Sequence, residues 1–334
     1  MTAAPLTDRL VDRHGRVHRD LRVSLTDRCS LRCTYCMPAE GLPWIPGAEV
    51  LTTEELVRIV RVAVRLGIEQ VRLTGGEPLL RPDIVEVVGA LAALPQPPRL
   101  SLTTNGLRLP GLAAPLADAG LDRVNVSLDT LRRERFAAIT RRDRLVDVLA
   151  GVAAAKAAGL RPVKVNAVLI RGVNDDEAVD LLRWALDEGV ALRFIEQMPL
   201  DAQHEWQRAA MVTAAETLER LGAVFTLSPV PGRGSSPAEE WLVDGGPATV
   251  GVIASVSQPF CGACDRVRLT SDGQLRACLF AREESDLRSP IRAGADDAEL
   301  ERRFRVCLEG KQPGHGIDDP GFLQPARPMS AIGG

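Results

Sequence analysis

Two periods of apolar residues alternate along the first two-thirds of the chain, one typical of strands and the other of helices. Short runs rich in Val, Leu and Ile predict six buried strands, at Leu21–Thr26, Val71–Thr74, Leu100–Thr103, Val124–Leu128, Val163–Leu169 and Ala191–Ile195. Helical patterns lie between them. Six successive strand–helix units predict a parallel sheet covered by helices, which either curls into a barrel or stays open and doubly wound. In both cases ligands bind at the carboxyl ends of the strands.

Capping signals place several of the helices. Thr52 and Glu55 form a predicted capping box before one helix, and Gly67 is expected to end it. Asn174, followed by three acidic residues, predicts the N-cap of another helix. Helical periodicity also covers Leu145–Ala158 and Asp297–Leu308.

The alternation ends after Pro199, and this divides the chain. Residues 1–19 precede the first strand, residues 20–199 contain the strand–helix units, and residues 200–334 form a C-terminal region. That region contains a Pro/Gly/Ser-rich loop and ends in Gly333 and Gly334. We expect it to close the open side of the strand–helix core.

Composition narrows the class of protein. The 334 residues are 45% hydrophobic but only 4% aromatic, so a large core must be built mainly from aliphatic side chains. The formal net charge of -3 gives no global sign of a nucleic-acid or membrane partner. The N-terminus lacks the apolar stretch of a signal peptide, and no apolar run approaches the ~20 residues that span a bilayer. We therefore expect a soluble, cytoplasmic protein, in which closely spaced cysteines serve as metal ligands or catalytic groups.

Six of the seven cysteines fall into two triplets. The first triplet is Cys29, Cys33 and Cys36, in a Cys-x3-Cys-x2-Cys loop directly after the first predicted strand. The second triplet is Cys261, Cys264 and Cys278, with a turn predicted at 271–273 to bring the last cysteine back. Three thiolates can hold a four-iron cluster and leave one iron open to a ligand.

Structural zinc is the alternative for either triplet, and structural zinc takes four ligands. No fourth Cys or His lies beside the first triplet in the sequence, and none is evident for the second. The seventh cysteine, Cys307, lies at an apolar helix position, so we expect it to pack as a small hydrophobe. Iron–sulfur clusters are therefore the favoured prediction at both triplets.

Several basic residues lie where charge is costly. Arg22, Arg72 and Lys164 lie inside predicted strands, so each is expected to meet a ligand or a carboxylate. Arg266 and Arg268 alternate along a strand beside the second triplet and so point to the same side. Guanidinium groups suit phosphate oxygens, which predicts an anion site there.

The first triplet, with Tyr35 before its last cysteine, resembles the signature loop of the radical S-adenosylmethionine (SAM) superfamily. The Thr-Gly-Gly-Glu-Pro run at Thr74–Pro78 resembles that superfamily's glycine-rich motif at the end of the second strand. Within the superfamily, the chain resembles the molybdenum cofactor biosynthesis protein A family over nearly its full length. The segments that carry this resemblance are Asp20–Cys29, Cys36–Pro38, Arg72–Arg81, Thr103–Gly106, Arg123–Asp129, Phe194–Pro199, the second triplet and the terminal Gly333–Gly334.

The resemblance implies an α/β fold, an incomplete (β/α)6-type TIM barrel over residues 20–199 with a C-terminal, cluster-bearing extension that closes its open side. It implies one [4Fe-4S] cluster on the first triplet, whose open iron binds SAM, and a second [4Fe-4S] cluster on the second triplet, beside GTP. The residues implied to line the SAM site are Tyr35, Gly76, Ser127 and Met198. The residues implied to bind GTP are Arg22, Arg72, Thr103, Lys164, Arg266, Val267 (through its main chain) and Arg268.

By the same resemblance, the 5'-deoxyadenosyl radical from SAM abstracts hydrogen from C3' of GTP, and C3' then bonds to C8 of guanine. The implied product is (8S)-3',8-cyclo-7,8-dihydroguanosine 5'-triphosphate, made in the first step of molybdenum cofactor biosynthesis. A homodimer, handover of the product to cyclic pyranopterin monophosphate synthase and a Gly-Gly tail that reaches into the active site are also implied. The electron donor is left open.

Other functions stay open as alternatives on the sequence alone. A different radical SAM enzyme with an auxiliary cluster, such as a peptide-modifying one, usually carries more C-terminal cysteines than this chain. A zinc-stabilised binding module would hold zinc in place of iron and sulfide. A SAM-dependent methyltransferase without clusters would leave six patterned cysteines unexplained.

Overall fold

The computed structural model describes residues 9–333. Residues 1–8, which belong to the predicted N-terminal segment, and Gly334, the last residue of the predicted Gly-Gly tail, lie outside the described residues. Within residues 9–333 the protein is an α/β structure in which twelve strands share one sheet.

Six parallel strands form the centre of the sheet. They are β1 Asp20–Ser24, β2 Gln70–Thr74, β3 Arg99–Thr104, β4 Arg123–Ser127, β5 Val163–Val168 and β6 Ala191–Ile195. Each strand pairs in parallel with the next one along the chain. All six predicted strands are confirmed, with ends that differ by at most two residues.

Strands of the C-terminal region extend both ends of this parallel sheet. They are β7 Leu227–Pro229, β8 Glu239–Val243, β9 Thr249–Ile253, β10 Arg266–Leu269, β11 Gln274–Arg276 and β12 Ser285–Asp286. Strand β9 pairs in parallel with β6, and β10 pairs in parallel with β1. The order is β12-β11-β10-β1-β2-β3-β4-β5-β6-β9-β8-β7, so the sheet is open. The C-terminal region therefore continues the central sheet at both ends, and the predicted domain boundary at residue 199 stays a prediction.

Helices connect the parallel strands and cover the apolar face of the sheet. The α-helices are α1 Thr53–Arg65, α2 Ile84–Ala92, α3 Leu109–Asp118, α4 Arg133–Thr140, α5 Leu145–Ala157, α6 Ala178–Glu188, α7 Ala214–Gly222, α8 Arg288–Arg292, α9 Asp297–Glu309 and α10 Met329–Ile332. The predicted capping box is confirmed at α1, where the side chains of Thr52 and Glu55 each accept from the other residue's backbone N–H. The helices predicted near α5 and α9 are confirmed to within one residue. None of the helices in the described part of the chain has the length and apolar character needed to span a bilayer.

The predicted N-cap at Asn174 is wrong. Residues 175–177 form a 3-10 turn, α6 begins after it, and the Asn174 side chain caps neither. Instead its buried amide group donates to the carbonyl oxygens of Asp129 at 2.6 Å and Val168 at 3.0 Å. Its own oxygen accepts from the Ile170 N–H at 2.6 Å. Asn174 therefore ties together the ends of β4 and β5, where buried backbone groups need partners.

Side chains alternate between the two faces of each central strand. In β1, Leu21 and Val23 are fully buried against the helices, while Asp20, Arg22 and Ser24 lie on the opposite face. The other parallel strands repeat this alternation. One face of the sheet is therefore aliphatic, and the other carries charged and polar side chains towards the interior of the partial barrel.

Candidate active site

The polar face of the parallel strands lines a cavity of about 310 Å³. Residues from all six central strands contribute to its wall. The predicted site residues that line it are Arg22, Cys29, Cys33, Tyr35, Cys36, Arg72, Gly76, Thr103, Ser127, Met198, Arg266 and Arg268. The fold thus brings to one chamber the first triplet, all four residues predicted to contact SAM and most of those predicted to contact GTP.

The first triplet lies in the loop that follows β1, at the carboxyl end of the sheet. The Arg32 guanidinium donates to the Cys29 carbonyl oxygen at 2.7 Å, and the Cys36 N–H donates to the Cys33 carbonyl oxygen at 3.0 Å. Burial raises the pKa of Cys36 to about 12 and also raises the pKa of Cys33. Thiolates at this loop therefore need a bound cation to stabilise them.

Two glycines allow the loop after β2 to lie against the cysteine loop. Gly76 donates its N–H to the Thr26 carbonyl oxygen at 2.7 Å. A Cβ at Gly76 would lie 2.4 Å from the Arg28 carbonyl oxygen and 2.5 Å from that of Asp27. Gly75 has φ of +146°, a conformation that side chains disfavour. Close backbone approach is therefore the physical reason for the Gly-Gly pair.

Tyr35, the only tyrosine, is fixed by a carboxylate. Its hydroxyl donates to Asp129 Oδ2 at 2.7 Å, and Asp129 Oδ1 accepts from the Val168 N–H at 2.8 Å. Burial raises the pKa of Asp129 to about 6, although both hydrogen bonds act in the opposite direction. Asp129 holds the aromatic ring beside the first triplet, a role that its position at a strand end did not reveal.

Three arginines from adjacent strands form a row on the polar face. Arg22 in β1 is in register with Arg72 in β2 and with Arg268 in β10. Burial, with repulsion among the arginines as a further cause, lowers the pKa of Arg22 to about 9, of Arg72 to about 10 and of Arg268 to about 9. Because a guanidinium stays protonated in proteins, this direction indicates buried positive charge that is not fully compensated.

Asp20 offsets only part of that charge. Its carboxylate lies 4.0 Å from Arg266 Nε. Burial raises the pKa of Asp20, but attraction to Arg22 and Arg72 outweighs burial, and the net direction is downward. The Nε atoms of Arg22 and Arg266 are buried without a hydrogen-bond partner among residues 9–333. This end of the cavity therefore suits an anion with several oxygens, such as a polyphosphate.

Arg193 belongs to the same cationic surface, although it was not predicted. It lies in β6, lines the cavity and donates to Asn166 Oδ1 at 3.0 Å and to Asn125 Oδ1 at 2.8 Å. Asn125 in turn donates to Thr103 Oγ1 at 3.2 Å. The signal that selected the arginines of β1 and β2, a basic residue inside an apolar strand, also marks Arg193.

Two residues predicted to contact GTP are not among those that line the cavity. The Val267 side chain is fully buried on the aliphatic face, so only its main chain remains available to a ligand. Lys164 lies on the polar face of β5, where burial and repulsion from Arg193 lower its pKa to about 8. Contacts of Lys164 and Val267 with a nucleotide stay predictions.

The second triplet is positioned by a 3-10 turn, Cys261–Ala263, and by the hairpin of β10 and β11. The predicted hairpin turn is confirmed, with Gly273 at φ +82°. The three cysteines are not among the residues that line the cavity, but their neighbours Phe260 and Leu279 are. The second triplet therefore lies next to the arginine-rich end of the chamber.

Basic groups surround Cys264. Lys311 Nζ and Arg266 Nη1 each lie 3.7 Å from its sulfur. Burial raises the pKa of Cys264, but Lys311 and Arg266 outweigh burial, and the net direction is downward. At Cys261, burial and the neighbouring Cys278 raise the pKa. The sequence around Lys311 does not identify it as a site residue, because Lys311 comes close to Cys264 only in the folded chain.

Both triplets fit an iron–sulfur cluster by their donor chemistry. All seven cysteines are free thiols, and the six of the triplets lie in loops or turns. The Phe280 N–H donates to the Cys278 sulfur at 3.4 Å. The side-chain amide nitrogen of Asn105 lies 4.0 Å from the Cys29 sulfur. Within residues 9–333, no group of three His, Cys, Asp or Glu side chains is placed to hold a single metal ion. Cys307 packs against the aliphatic core, as predicted, and burial raises its pKa to about 12.

The C-terminal tail reaches the cavity. Met329 and Ser330 of α10 line it, and the Arg268 guanidinium donates to the Gly333 carbonyl oxygen. The tail therefore contacts the arginine row as far as it is described.

Comparison with known proteins defines the class. The model of the Radical SAM superfamily matches residues 23–185, and that of Molybdenum Cofactor Synthesis C matches residues 190–317. The crystal structure of Streptococcus suis SuiB bound to precursor peptide SuiA has a TM-score of 0.63 at 15% identity, over 89% of this chain and 67% of that one. Native anSMEcpe with bound AdoMet has a TM-score of 0.58 at 15% identity, and the match covers 89% of this chain and 82% of that one. The fold is that of the radical SAM class, a partial TIM-barrel-like α/β structure.

Sequence relatives define the family. The GTP 3',8-cyclase of Streptomyces coelicolor is 62% identical over 328 residues, which cover 97% of this chain and 96% of that protein. The GTP 3',8-cyclase 2 of Mycobacterium tuberculosis is 59% identical over 336 residues, 99% of this chain and 93% of that protein. The chain belongs to the GTP 3',8-cyclase family.

Proposed function

We propose that this chain converts GTP to (8S)-3',8-cyclo-7,8-dihydroguanosine 5'-triphosphate, the first step of molybdenum cofactor biosynthesis. The observation that carries the proposal is a single cavity, which joins the first triplet to a row of buried arginines beside the second triplet. Relatives named GTP 3',8-cyclase at 62% identity support this substrate and reaction.

The first triplet would hold a [4Fe-4S] cluster at the carboxyl end of the sheet. Gly76 would keep the loop after β2 close enough for its backbone to meet SAM. Tyr35, held by Asp129, would present its ring to the cofactor, Ser127 would offer a hydroxyl, and Met198 an adaptable apolar contact. These assignments rest on the family resemblance together with the position of all four residues on one cavity wall.

The arginine row would bind the triphosphate of GTP. Arg22, Arg266 and Arg268 line the cavity, where Arg266 and Arg268 are buried and Arg22 is partly buried, and Arg72 extends the row. A guanidinium group can donate two parallel N–H hydrogen bonds to a phosphate, which fixes the orientation of the phosphate as well as its position. Anchoring the triphosphate would thus fix where the ribose lies relative to the strand ends, and Arg193, held by two asparagines, would complete the positive wall.

When bound, the first cluster and SAM supply the one-electron chemistry that removes hydrogen from C3' of GTP. The residues of the chain position both ligands on one polar face, and the aliphatic core behind it keeps that face rigid. Residues 200–334 are proposed to close the open side and so exclude water, supported by the contact of Arg268 with Gly333.

A second [4Fe-4S] cluster on Cys261, Cys264 and Cys278 is part of the proposal, supported by the free thiols and the basic groups around them. A cytoplasmic location is proposed from the reducing conditions that six patterned thiols require. A homodimer and handover of the product to cyclic pyranopterin monophosphate synthase stay predictions from the resemblance.

Anaerobically reconstituted protein, incubated with SAM, dithionite and GTP deuterated at C3', tests this function. We expect deuterium in the 5'-deoxyadenosine that forms, together with a cyclised nucleotide, measured by chromatography and mass spectrometry. Deoxyadenosine without deuterium would exclude abstraction from C3'. Absence of deoxyadenosine from protein that holds its clusters would contradict the radical SAM assignment.

A further inference from the structure

Lys311 is a buried lysine that the proposed chemistry does not use. It is 3% exposed, its ammonium donates to the Arg266 carbonyl oxygen at 2.7 Å, and it lies 3.7 Å from the Cys264 sulfur. No carboxylate of the described residues forms a salt bridge with it. Asp12, the nearby acid, is already bonded to Arg16 at 2.6 Å. The Lys311 ammonium therefore lies beside the Cys264 sulfur with no carboxylate of the described residues paired to it.

The backbone around Lys311 is fastened from the N-terminal segment. The Arg16 guanidinium donates to the carbonyl oxygens of Gln312 at 2.8 Å, Pro313 at 3.2 Å and Cys261 at 2.8 Å. A His14 ring nitrogen lies within hydrogen-bond distance of the Lys311 carbonyl oxygen, at 3.2 Å. The Arg16 side chain thus joins the backbone at 312–313 to the second triplet, directly after Lys311.

Lys311 differs from the arginines near the same sulfur. Arg266 and Arg268 line the cavity, where a bound triphosphate would neutralise them. Lys311 is not among the residues that line the cavity. Its positive charge would persist when the substrate is bound.

A basic group beside a ligand sulfur acts on the charge of the cluster. A reduced cluster carries one more negative charge than an oxidised one, so a basic neighbour favours reduction. Lys311 Nζ and Arg266 Nη1 both lie 3.7 Å from the Cys264 sulfur, and of the two only Lys311 is outside the cavity.

We propose that Lys311 is a positioning residue that raises the reduction potential of the second cluster. The inference rests on the proposed second cluster and adds the direction in which its potential is set. Reduction adds one electron to the oxidised cluster, here from dithionite, and no bond forms or breaks.

The test uses the full-length chain with Cys29, Cys33 and Cys36 replaced by Ala, which leaves the second triplet as the cluster site. Its midpoint potential is measured by redox titration followed by electron paramagnetic resonance, with Lys311 intact and as Lys311→Met. We expect the equilibrium constant for reduction to fall at least tenfold, about 59 mV for one electron. Lys311→Arg, which keeps the charge, should restore most of the potential. Lys156→Met, at a partly exposed lysine paired with Glu188, should leave it unchanged.

Three outcomes are decisive. If Lys311→Met keeps its iron and sulfide but also its potential, the role of Lys311 is overturned. If Lys311→Met loses its cluster, Lys311→Gln is titrated instead, and an unchanged potential there overturns the role equally. If the parent chain with Lys311 intact binds no cluster at the second triplet, the proposed function itself fails, and the inference falls with it.

Discussion

Charge buried without a full complement of partners is the residue-scale signature of this site. Arg22, Arg72 and Arg268 share one row of the sheet because parallel register brings them together, and Asp20 is their nearby carboxylate. A chain that folded for stability alone would gain from apolar residues here, since buried unpaired charge costs several kcal/mol. The row is therefore understandable as a place that a ligand completes.

The variant Arg22→Met tests whether a ligand completes the arginine row. We expect the dissociation constant for GTP to rise about 10- to 100-fold, because a charge-assisted hydrogen bond contributes roughly 1.5 to 3 kcal/mol. The melting temperature of the ligand-free protein should stay the same or rise, since an unpaired charge is removed. Anaerobic calorimetric titration with GTP measures the first quantity and thermal unfolding the second.

The matched control is Arg133→Met, at an exposed arginine that pairs with Asp143 at 2.7 Å on the surface. This variant should change neither the dissociation constant for GTP nor the melting temperature measurably. A large fall in melting temperature for Arg22→Met, with GTP binding intact, would instead make Arg22 a structural partner of Asp20.

At the scale of elements, each central strand has two different faces. Aliphatic residues pack under the helices, and most of the alternate residues, which face the interior, are polar. Loops after the strands then carry the cysteine loop, the Gly-Gly turn and Asp129 to the same edge. Asn174 contributes by joining two of these strand ends, and it does so with hydrogen bonds that a helix cap would not make.

Asn174→Ala and Thr52→Ala distinguish these two roles. Loss of the Thr52 cap should lower the free energy of unfolding by about 1 kcal/mol. Loss of Asn174 should lower it by about 3 kcal/mol, because the carbonyl oxygens of Asp129 and Val168 and the N–H of Ile170 lose their buried partner. Urea unfolding of both variants gives the comparison. Equal losses near 1 kcal/mol would argue that Asn174 is only a cap after all.

At the scale of the whole molecule, the chamber is assembled from both parts of the chain. Residues 20–199 supply the central strands and the first triplet, and the C-terminal region supplies β10, the second triplet and α10. Because β10 pairs directly with β1, Arg266 and Arg268 lie beside Arg22 although some 240 residues separate them in sequence. Neither part alone forms the site.

Metal content tests this two-site organisation. Reconstituted wild-type chain should hold roughly eight irons and eight sulfides, and the variant with Cys261, Cys264 and Cys278 all replaced by Ala roughly four of each. Cys307→Ala, at the packed seventh cysteine, should keep the wild-type content. Iron, sulfide and zinc analysis of the three proteins decides the point: zinc without sulfide at the second triplet would contradict the cluster assignment there.

The sequence by itself determined the six central strands, the capping box at Thr52, the packing of Cys307 and the presence of two thiol triplets. These follow from local periodicity, short-range hydrogen bonds and spacing, which neighbouring residues fix. Its resemblance to a known family also indicated twelve of the residues that line the chamber. The tertiary structure alone decided the pairing of β10 with β1, the hydrogen bonds of Asn174, the support of Tyr35 by Asp129 and the approach of Lys311 to Cys264. Each of these includes a contact between residues far apart in the chain, for Asn174 the one with Asp129. Such contacts depend on how the whole sheet is assembled rather than on any local pattern.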